Sequence, residues 1–267
     1  MLIIGELINC TRKKVGEAAA KRDAEFFRDL ARKQVEGGAN FLDVNGGLAG
    51  QEAETLKWLV GIVQDTVDIP LCLDSADAEA LRQALPLCKH PAMINSVPDE
   101  AARIRGAVPL LREHKAKVIA LCMSEGVPPT GVEDRVATAS RLVDLLTKEG
   151  IPVQDICVDP CVFPVASSEG QGMAALDAVS QIRARYPGVR ISAGVSNVSF
   201  GLPQRKLLNQ TFLTLLMSRG LDTAIIDPCD PQVIMNIKAT EALLGRDEYC
   251  GEYLRAFREG KLALRAA

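Results

Sequence analysis

The sequence predicts an α/β fold, a closed (β/α)₈ barrel of the TIM type. Short apolar runs of strand length alternate with amphipathic helical stretches, and about eight such units fit within about 245 residues without a long linker. Most of the apolar runs end in a polar residue, as in LCLDS at 71–75. Because the strands of a barrel all end at one face, these polar residues are expected to form one pocket.

The strands are the runs rich in Val, Ile and Leu. They are nearly continuous in apolar residues, which is typical of parallel strands that are buried on both faces. The predicted strands are residues 2–8, 41–44, 70–73, 92–94, 117–122, 155–158, 190–195 and 223–226.

The helices are identified by apolar residues at helical spacing. Gly37 and Gly150 act as stop signals, and Asp77 is a suitable N-cap. Pro98 fits the first turn of the fourth helix, which Pro109 is expected to break and restart. The other predicted helices are residues 24–36, 52–67, 78–87, 132–149, 173–185, 206–219 and 231–244.

A doubly wound open sheet is the structural alternative, but it usually has fewer strands and a Gly-rich phosphate loop after the first one. Here the first strand leads into Glu6, Asn9 and a basic stretch. We therefore assign residues 1–245 to the barrel. Residues 246–267 are expected to form a C-terminal helical tail of the same domain, frayed at its end.

Composition argues against several function classes. The 267 residues carry a formal net charge of −3 and no long Lys/Arg block, so a nucleic-acid partner is not expected. The N-terminus lacks a basic leader and a cleavage site, and no apolar run reaches transmembrane length. A cytoplasmic protein with no membrane partner is expected.

The cysteines are scattered along the chain and are interpreted as free thiols. Cys72, Cys122 and Cys157 lie inside apolar runs, where a thiol packs as a small hydrophobic group. Neither histidine lies at the end of a strand, and a tetrahedral zinc site needs three or four convergent Cys or His ligands. No metal site is expected.

The polar residues at the strand ends are the candidate site. Each alone could be a helix N-cap or a turn former, but acids that converge repel one another unless a ligand compensates. A divalent metal, a cationic substrate or a neutral heterocycle with several N–H donors would compensate, and the scarcity of His and Lys favours the heterocycle. The residues are Glu6, Asp43, Asn45, Asp74, Asn95, Asp159, Asn197 and Asp227.

The loop after the seventh strand, GVSNVSFGLPQR at 194–205, is the segment richest in candidate functional groups. Its glycines allow a ligand to approach the backbone closely, and Ser196, Asn197 and Ser199 supply hydroxyl and amide groups. Arg205 begins the next helix, where it either meets a carboxylate or is simply solvated.

At these residues the chain resembles the pterin-binding methyltransferases that pass a methyl group between tetrahydrofolate and a corrinoid protein. They are relatives of dihydropteroate synthase and of the folate module of cobalamin-dependent methionine synthase. The resemblance runs nearly end to end. It rests on IIGELIN at 3–9, LDVN at 42–45, LCLDS at 71–75, AMINS at 92–96, DP at 159–160, the 194–205 loop and LDTAIIDPCD at 221–230.

The resemblance implies a role for each site residue. Asp74, Asn95 and Asp159 would hydrogen-bond the pterin ring, and Asn197 would face N5, so that Asn197, Asp159 and Asp74 carry catalysis. Dihydropteroate synthase itself is disfavoured, because it expects a basic pair at the end of the eighth strand, where this chain has Asp227. Further contacts to the pterin would come from Glu6, Ser96, Ser196, Ser199 and Arg205.

The implied reaction moves the methyl group of 5-methyltetrahydrofolate from N5 to the cobalt of cobalamin on a separate corrinoid protein, or the reverse. Asn197 would stabilise the proton on N5, and Asp159, Asp74 and water would relay it. The implied assembly is a homodimer that binds no metal. A metal-dependent barrel lyase or aldolase and a non-catalytic folate-binding module stay open. The sequence does not choose among O-demethylation, betaine demethylation and acetogenesis as the pathway.

Overall fold

The computed structural model describes residues 1–47 and 50–262. In this part of the chain eight strands form one parallel sheet. The strands are β1 (Leu2–Asn9), β2 (Phe41–Asn45), β3 (Leu71–Asp74), β4 (Met93–Asp99), β5 (Lys117–Ser124), β6 (Ile156–Asp159), β7 (Arg190–Ile191) and β8 (Thr223–Ile226).

The sheet curls into a nearly closed barrel. Neighbouring strands follow chain order from β1 to β7, and β8 pairs with β1. Between β7 and β8 a parallel bridge joins Gly194 to Ile225, and the amide of Ile225 donates to the carbonyl of Ala193 at 3.0 Å. Strand β7 is shorter than predicted, because a 3₁₀ turn (Val195–Ser199) takes over the chain after Gly194. The predicted TIM barrel is confirmed.

Helices separate the strands and bury one face each against the barrel. In the second helix, for example, Phe27 and Ala31 are buried, and the side chain of Asp23 caps the N-terminus by accepting from the amide of Phe26 at 3.1 Å. None of the described helices is both long and apolar enough to cross a membrane. The helices are α1 (Lys13–Ala20), α2 (Ala24–Glu36), α3 (Glu52–Thr66), α4 (Ala78–Ala84), α5 (Ala101–His114), α6 (Val132–Lys148), α7 (Gln171–Arg185), α8 (Arg205–Ser218), α9 (Pro231–Leu243) and α10 (Gly251–Arg258).

Two predictions about the fourth unit are wrong. Pro98 lies in β4, where it pairs with Leu121 beside a register irregularity that tolerates a residue without an N–H. Pro109 lies inside an unbroken α5. Its ring faces solvent, and so does Arg105, whose carbonyl loses its partner N–H to the proline and can take water instead.

The C-terminal segment packs on the barrel through α10. Ala256 is buried, and Lys238 of α9 forms an ion pair with Glu252 of α10 at 3.8 Å. The division of the chain at residue 245 stays a prediction, and residues 263–267 of the predicted frayed end lie outside the described part.

The barrel interior is filled at its amino-terminal end by an apolar cluster that is separate from the core under the helices. Cys72 and Cys157 belong to it, and they are buried free thiols, as predicted. Its buried members are Ile4, Phe41, Cys72, Met93, Ile119 and Cys157. This cluster, here called the floor, lies directly beneath the candidate site.

Candidate functional site

Most of the polar candidates lie two residues beyond an apolar residue of the barrel interior. Side chains alternate along a strand, so residues two apart point to the same side. The barrel therefore carries a layer of acids and amides at its carboxyl end, above the floor. The pairs are Ile4 and Glu6, Phe41 and Asp43, Cys72 and Asp74, Met93 and Asn95, Cys157 and Asp159, and Ile225 and Asp227.

Two hydrogen bonds join the ends of β2, β3 and β4. Nδ2 of Asn45 donates to Oδ2 of Asp74 at 2.9 Å, and Nδ2 of Asn95 donates to Oδ1 of Asp43 at 3.0 Å. The strand register aligns Asp43 with Cys72 and Asp74 with Asn95. Asp43 is buried, whereas Asn45, Asp74 and Asn95 are only partly buried. The structure thus brings these four predicted residues together.

The carboxyl groups of this layer bind protons more readily than exposed ones. Burial raises the pKa of Asp43, and the neighbouring Asp74 raises it further, while the hydrogen bond from Asn95 opposes both. Burial also raises the pKa of Asp74 against the opposing hydrogen bond from Asn45. Burial raises the pKa of Glu6, which Arg12 opposes by donating from Nη2 at 2.8 Å. The common cause is the apolar floor, which keeps water from the charged forms.

Asp159 ends β6 and is only 6% exposed. Burial raises its pKa to about 6, although its Oδ1 accepts a hydrogen bond from the backbone amide of Cys161 at 2.8 Å. A carboxyl group with this pKa can exchange a proton near neutral pH, which a general acid or base must do.

Arg135 of α6 holds the loop behind Asp159 from a fully buried position. Its Nε donates to the carbonyl of Pro160 at 2.8 Å and its Nη2 to that of Cys161 at 3.2 Å. The sequence reasoning missed this residue. The available signal was its place on the apolar stripe of α6, four residues before Ala139 and seven before Leu142.

Asn197 lies in the 3₁₀ turn after β7, exposed at the rim of the barrel mouth. Its backbone amide donates to the carbonyl of Gly194 at 3.2 Å, and a Cβ added at Gly194 would meet its Nδ2 at 3.1 Å. The backbone of Gly194 also hydrogen-bonds Asp159. Gly194 therefore contacts both Asn197 and Asp159, and a Cβ there would press on the side-chain amide of Asn197.

The same turn fixes Arg205. Its Nε donates to Oγ of Ser199 at 3.0 Å and its Nη2 to the carbonyl of Ser196 at 2.7 Å. Its guanidinium lies 5.6 Å from the ring centroid of Phe200, which is 67% exposed. The structure places Ser199 and the backbone of Ser196 in the internal bonding of the loop, with Phe200 and Arg205 at the rim.

Two predicted residues lie at the margin of the layer. The carbonyl of Ser96 accepts from Nη2 of Arg103 at 2.8 Å, and Ser96 lines a cavity of about 210 Å³ that includes residues of α4 and α5. Asp227 accepts from the backbone amide of Cys229 at 2.8 Å and lines a cavity of about 970 Å³ together with residues of α2 and α9.

The set of hydrogen-bond acceptors suits a planar heterocycle. Within residues 1–47 and 50–262 no three His, Cys, Asp or Glu side chains are arranged to hold a metal ion. Oδ1 of Asp74 and Oδ1 of Asn95 accept no hydrogen bond from any described residue. They are available for N–H groups on a ring edge, above a floor that excludes water.

Comparison with known proteins gives full-length and partial relatives. The family described as pterin binding enzyme matches residues 5–227. A methylcorrinoid:tetrahydrofolate methyltransferase of Eubacterium limosum is 40% identical over 98% of this chain and 98% of its own. The methionine synthase of Mycobacterium leprae is 32% identical over 85% of this chain, which spans only 20% of that protein.

Solved structures give the same fold. Dihydropteroate synthase from Xanthomonas albilineans in complex with 7,8-dihydropteroate has a TM-score of 0.72 at 18% identity, over 90% of this chain and 94% of that one. The dihydropteroate synthase from Clostridium difficile in the presence of pteroic acid has a TM-score of 0.73 at 17% identity, over 91% and 96%. At these identities the likeness shows the barrel and not the activity.

Proposed function

The chain belongs to the pterin-binding enzymes, and we propose that it transfers a methyl group between N5 of tetrahydrofolate and the cobalt of a corrinoid protein. The observation that carries this proposal is the match to the methylcorrinoid:tetrahydrofolate methyltransferase, which extends over nearly the whole of both chains. Two mycobacterial methionine synthases also match, over 85% of this chain.

The polar layer supports the binding half of the proposal. A reduced pterin presents N–H groups along one edge, and the free oxygens of Asp74 and Asn95 are acceptors for them. Asp159 is the third acceptor that we assign to the ring. The floor beneath these groups strengthens each hydrogen bond by excluding water.

The chemical half requires activation of N5. In one direction Co(I) attacks the methyl carbon, the electrons of the C–N bond go to N5, and N5 takes up a proton. In the other direction the lone pair of N5 attacks the methyl carbon, Co(I) leaves, and the proton of N5 is lost. A positioned proton donor or acceptor contributes about 10²- to 10⁴-fold to such a step. We assign orientation of that proton to Asn197 and its exchange to Asp159 through water.

The partner must reach the barrel mouth, and the rim offers it an apolar contact. Phe200 is 67% exposed and Val165 is 37% exposed. The backbone amide of Val165 donates to the carbonyl of Val198 at 2.9 Å, which holds Val165 against the same loop. We therefore infer that the corrinoid protein docks over the 194–205 loop. A homodimer, a cytoplasmic location and the pathway stay predictions from the sequence.

The proposal is tested with tetrahydrofolate that carries a ¹³C-labelled N5-methyl group. Incubation with the protein and reduced cobalamin should replace the N5-methyl NMR signal with that of a cobalt-bound methyl. Binding of methyltetrahydrofolate without transfer of its methyl group would instead support a non-catalytic folate-binding module. Transfer of no label, together with stoichiometric metal in the purified protein, would favour the metal-dependent lyase or aldolase.

A further inference from the structure

Asp43 is an acid of the polar layer to which the proposed reaction assigns no role. It is 3% exposed, whereas Asp74 and Asn95 are only partly buried, so little of its surface is open to a ligand in the mouth. Its carboxylate Oδ1 accepts from Nδ2 of Asn95 at 3.0 Å. Through this hydrogen bond it can orient Asn95.

We propose that Asp43 is a positioning residue whose protonation state decides which atom of the Asn95 side-chain amide faces the substrate. The proposal rests on the proposed function, because it takes the pterin ring as the group that Asn95 meets. It assigns Asp43 an action through another residue and no contact with the reacting atoms.

The chemistry follows from what each group can donate. An ionised carboxylate only accepts hydrogen bonds, so it holds Nδ2 of Asn95 toward itself and leaves Oδ1 as an acceptor in the mouth. A protonated carboxyl group can donate to Oδ1, and the amide then turns its NH₂ to the mouth. The two states offer opposite patterns to the same ring edge. A ring N–H that meets an NH₂ group loses its bond, which weakens binding about ten- to a hundredfold.

The surroundings of Asp43 make this proton exchange relevant near neutral pH. The groups that face it are Cys72 and Asp74 of β3, Glu6 of β1 and Asn95 of β4. Burial, Asp74 and Glu6 raise its pKa, and the bonds with Asn95 and Cys72 lower it, with burial the largest effect. Protonation therefore occurs above the ordinary range for an aspartate. Because the substrate prefers the ionised state, its binding should release a proton from Asp43.

Asn45 and Asp74 show the contrasting arrangement. Oδ1 of Asn45 accepts from the backbone amide of Gly47 at 2.9 Å, and its Nδ2 donates to Asp74. The backbone N–H does not titrate, so it fixes this amide at every pH. The side chain of Asn95 has only Asp43 in that role, so its orientation depends on whether Asp43 carries a proton.

The experiment measures binding of methyltetrahydrofolate by calorimetry in two buffers with different ionisation enthalpies, from about pH 6 to about pH 9. Wild-type protein should release a proton on binding. Asp43→Asn keeps the shape and an acceptor oxygen but cannot ionise, so the release should fall and the pH dependence of Kd should flatten. Asp43→Leu removes the partner and should weaken Kd about tenfold or more at every pH.

Asp144→Asn is the matched control, because Asp144 accepts from the hydroxyl of Tyr186 on the outer surface. It should behave as wild type. The inference alone is overturned if wild-type protein binds methyltetrahydrofolate and transfers its methyl group, while Asp43→Asn shows the same proton release and the same pH dependence of Kd as wild type. A wild-type protein that binds no methyltetrahydrofolate overturns the proposed function and the inference with it.

Discussion

Nδ2 of Asn45 lies 2.9 Å from Oδ2 of Asp74, and Oδ1 of Asn45 accepts from the backbone amide of Gly47 at 2.9 Å. The two bonds leave the Asn45 amide one orientation. They also occupy one oxygen of Asp74 and leave the other for a ligand. Asn45 at the end of β2 thereby determines that Oδ1 of Asp74, at the end of β3, is the oxygen available to a ligand in the mouth.

Asn45→Ala should weaken binding of methyltetrahydrofolate about tenfold. The change removes the hydrogen bond that stabilises the ionised form of Asp74, whose pKa burial already raises. Binding should recover partly at higher pH, where Asp74 ionises without help. Calorimetric titration checks both effects. Asn40→Ala is the control, because Asn40 bonds the amide of Ile3 at the other end of β1. It should lower stability without changing Kd.

Asp159→Asn should make the protein more stable at neutral pH while it weakens folate binding. Burial raises the pKa of Asp159 from 3.8 to about 6. Between these values the folded state binds more protons than the unfolded state, so this group lowers stability as pH rises through that window. Above about pH 6 the ionised Asp159 lowers the free energy of unfolding by at most about 3 kcal/mol.

Urea unfolding of Asp159→Asn and wild type at about pH 4 and about pH 7.5 checks this sign. The stability gain of the variant should be large at the higher pH and small at the lower one. A stability gain that is equal at both pH values, or a stability loss at the higher pH, would contradict the claim that the ionised Asp159 carboxylate destabilises the folded protein.

Arg135→Met should destabilise the protein by at least about 2 kcal/mol. The change leaves the carbonyls of Pro160 and Cys161 without their donors in a buried loop. Arg141→Met on the same helix is the matched control. Arg141 donates to Asp99 at 2.7 Å but is 53% exposed, so its loss should cost less than about 1 kcal/mol. Denaturant unfolding measures both, and equal costs would contradict the role given to Arg135.

Strand and helix patterns predicted the barrel and which polar residues stand at the strand ends, because both follow from local spacing. The bounds of α2 and β8 are as predicted. Hydrogen bonds join four of the strand-end residues, Asn45 to Asp74 and Asn95 to Asp43. Helix α1 was missed, since KKVGEAAA is short and carries a glycine amid few large apolar residues. The prediction that Pro109 breaks the helix is wrong because the effect of a proline depends on whether the carbonyl that loses its hydrogen bond faces solvent.

The relations between site residues were beyond the sequence for a different reason. That Asp43 accepts a hydrogen bond from Asn95, two strands away, depends on strand register and barrel curvature, which no local pattern encodes. The buried bonds of Arg135 likewise join residues 25 positions apart. Only the placement of each residue on a strand end or helix face was available from the chain.

Phe200→Ala should impair transfer with the corrinoid protein and spare transfer with free cobalamin. The ring is exposed at the rim and lies against Arg205, so its loss removes apolar contact area from the docking surface and leaves the polar layer intact. The KM for the corrinoid protein should rise about tenfold, as for loss of one well-packed aromatic anchor. An equal loss with free cobalamin would place Phe200 in the substrate pocket instead.

The most direct test of the methyl-transfer account follows the absorbance of Co(I) cobalamin after rapid mixing with protein and methyltetrahydrofolate. Wild-type protein should consume the Co(I) spectrum and produce that of methylcobalamin. Asn197→Ala should bind the folate with little change but slow this conversion by about 10²-fold or more. A Co(I) spectrum that wild-type protein and methyltetrahydrofolate leave unchanged would contradict the account.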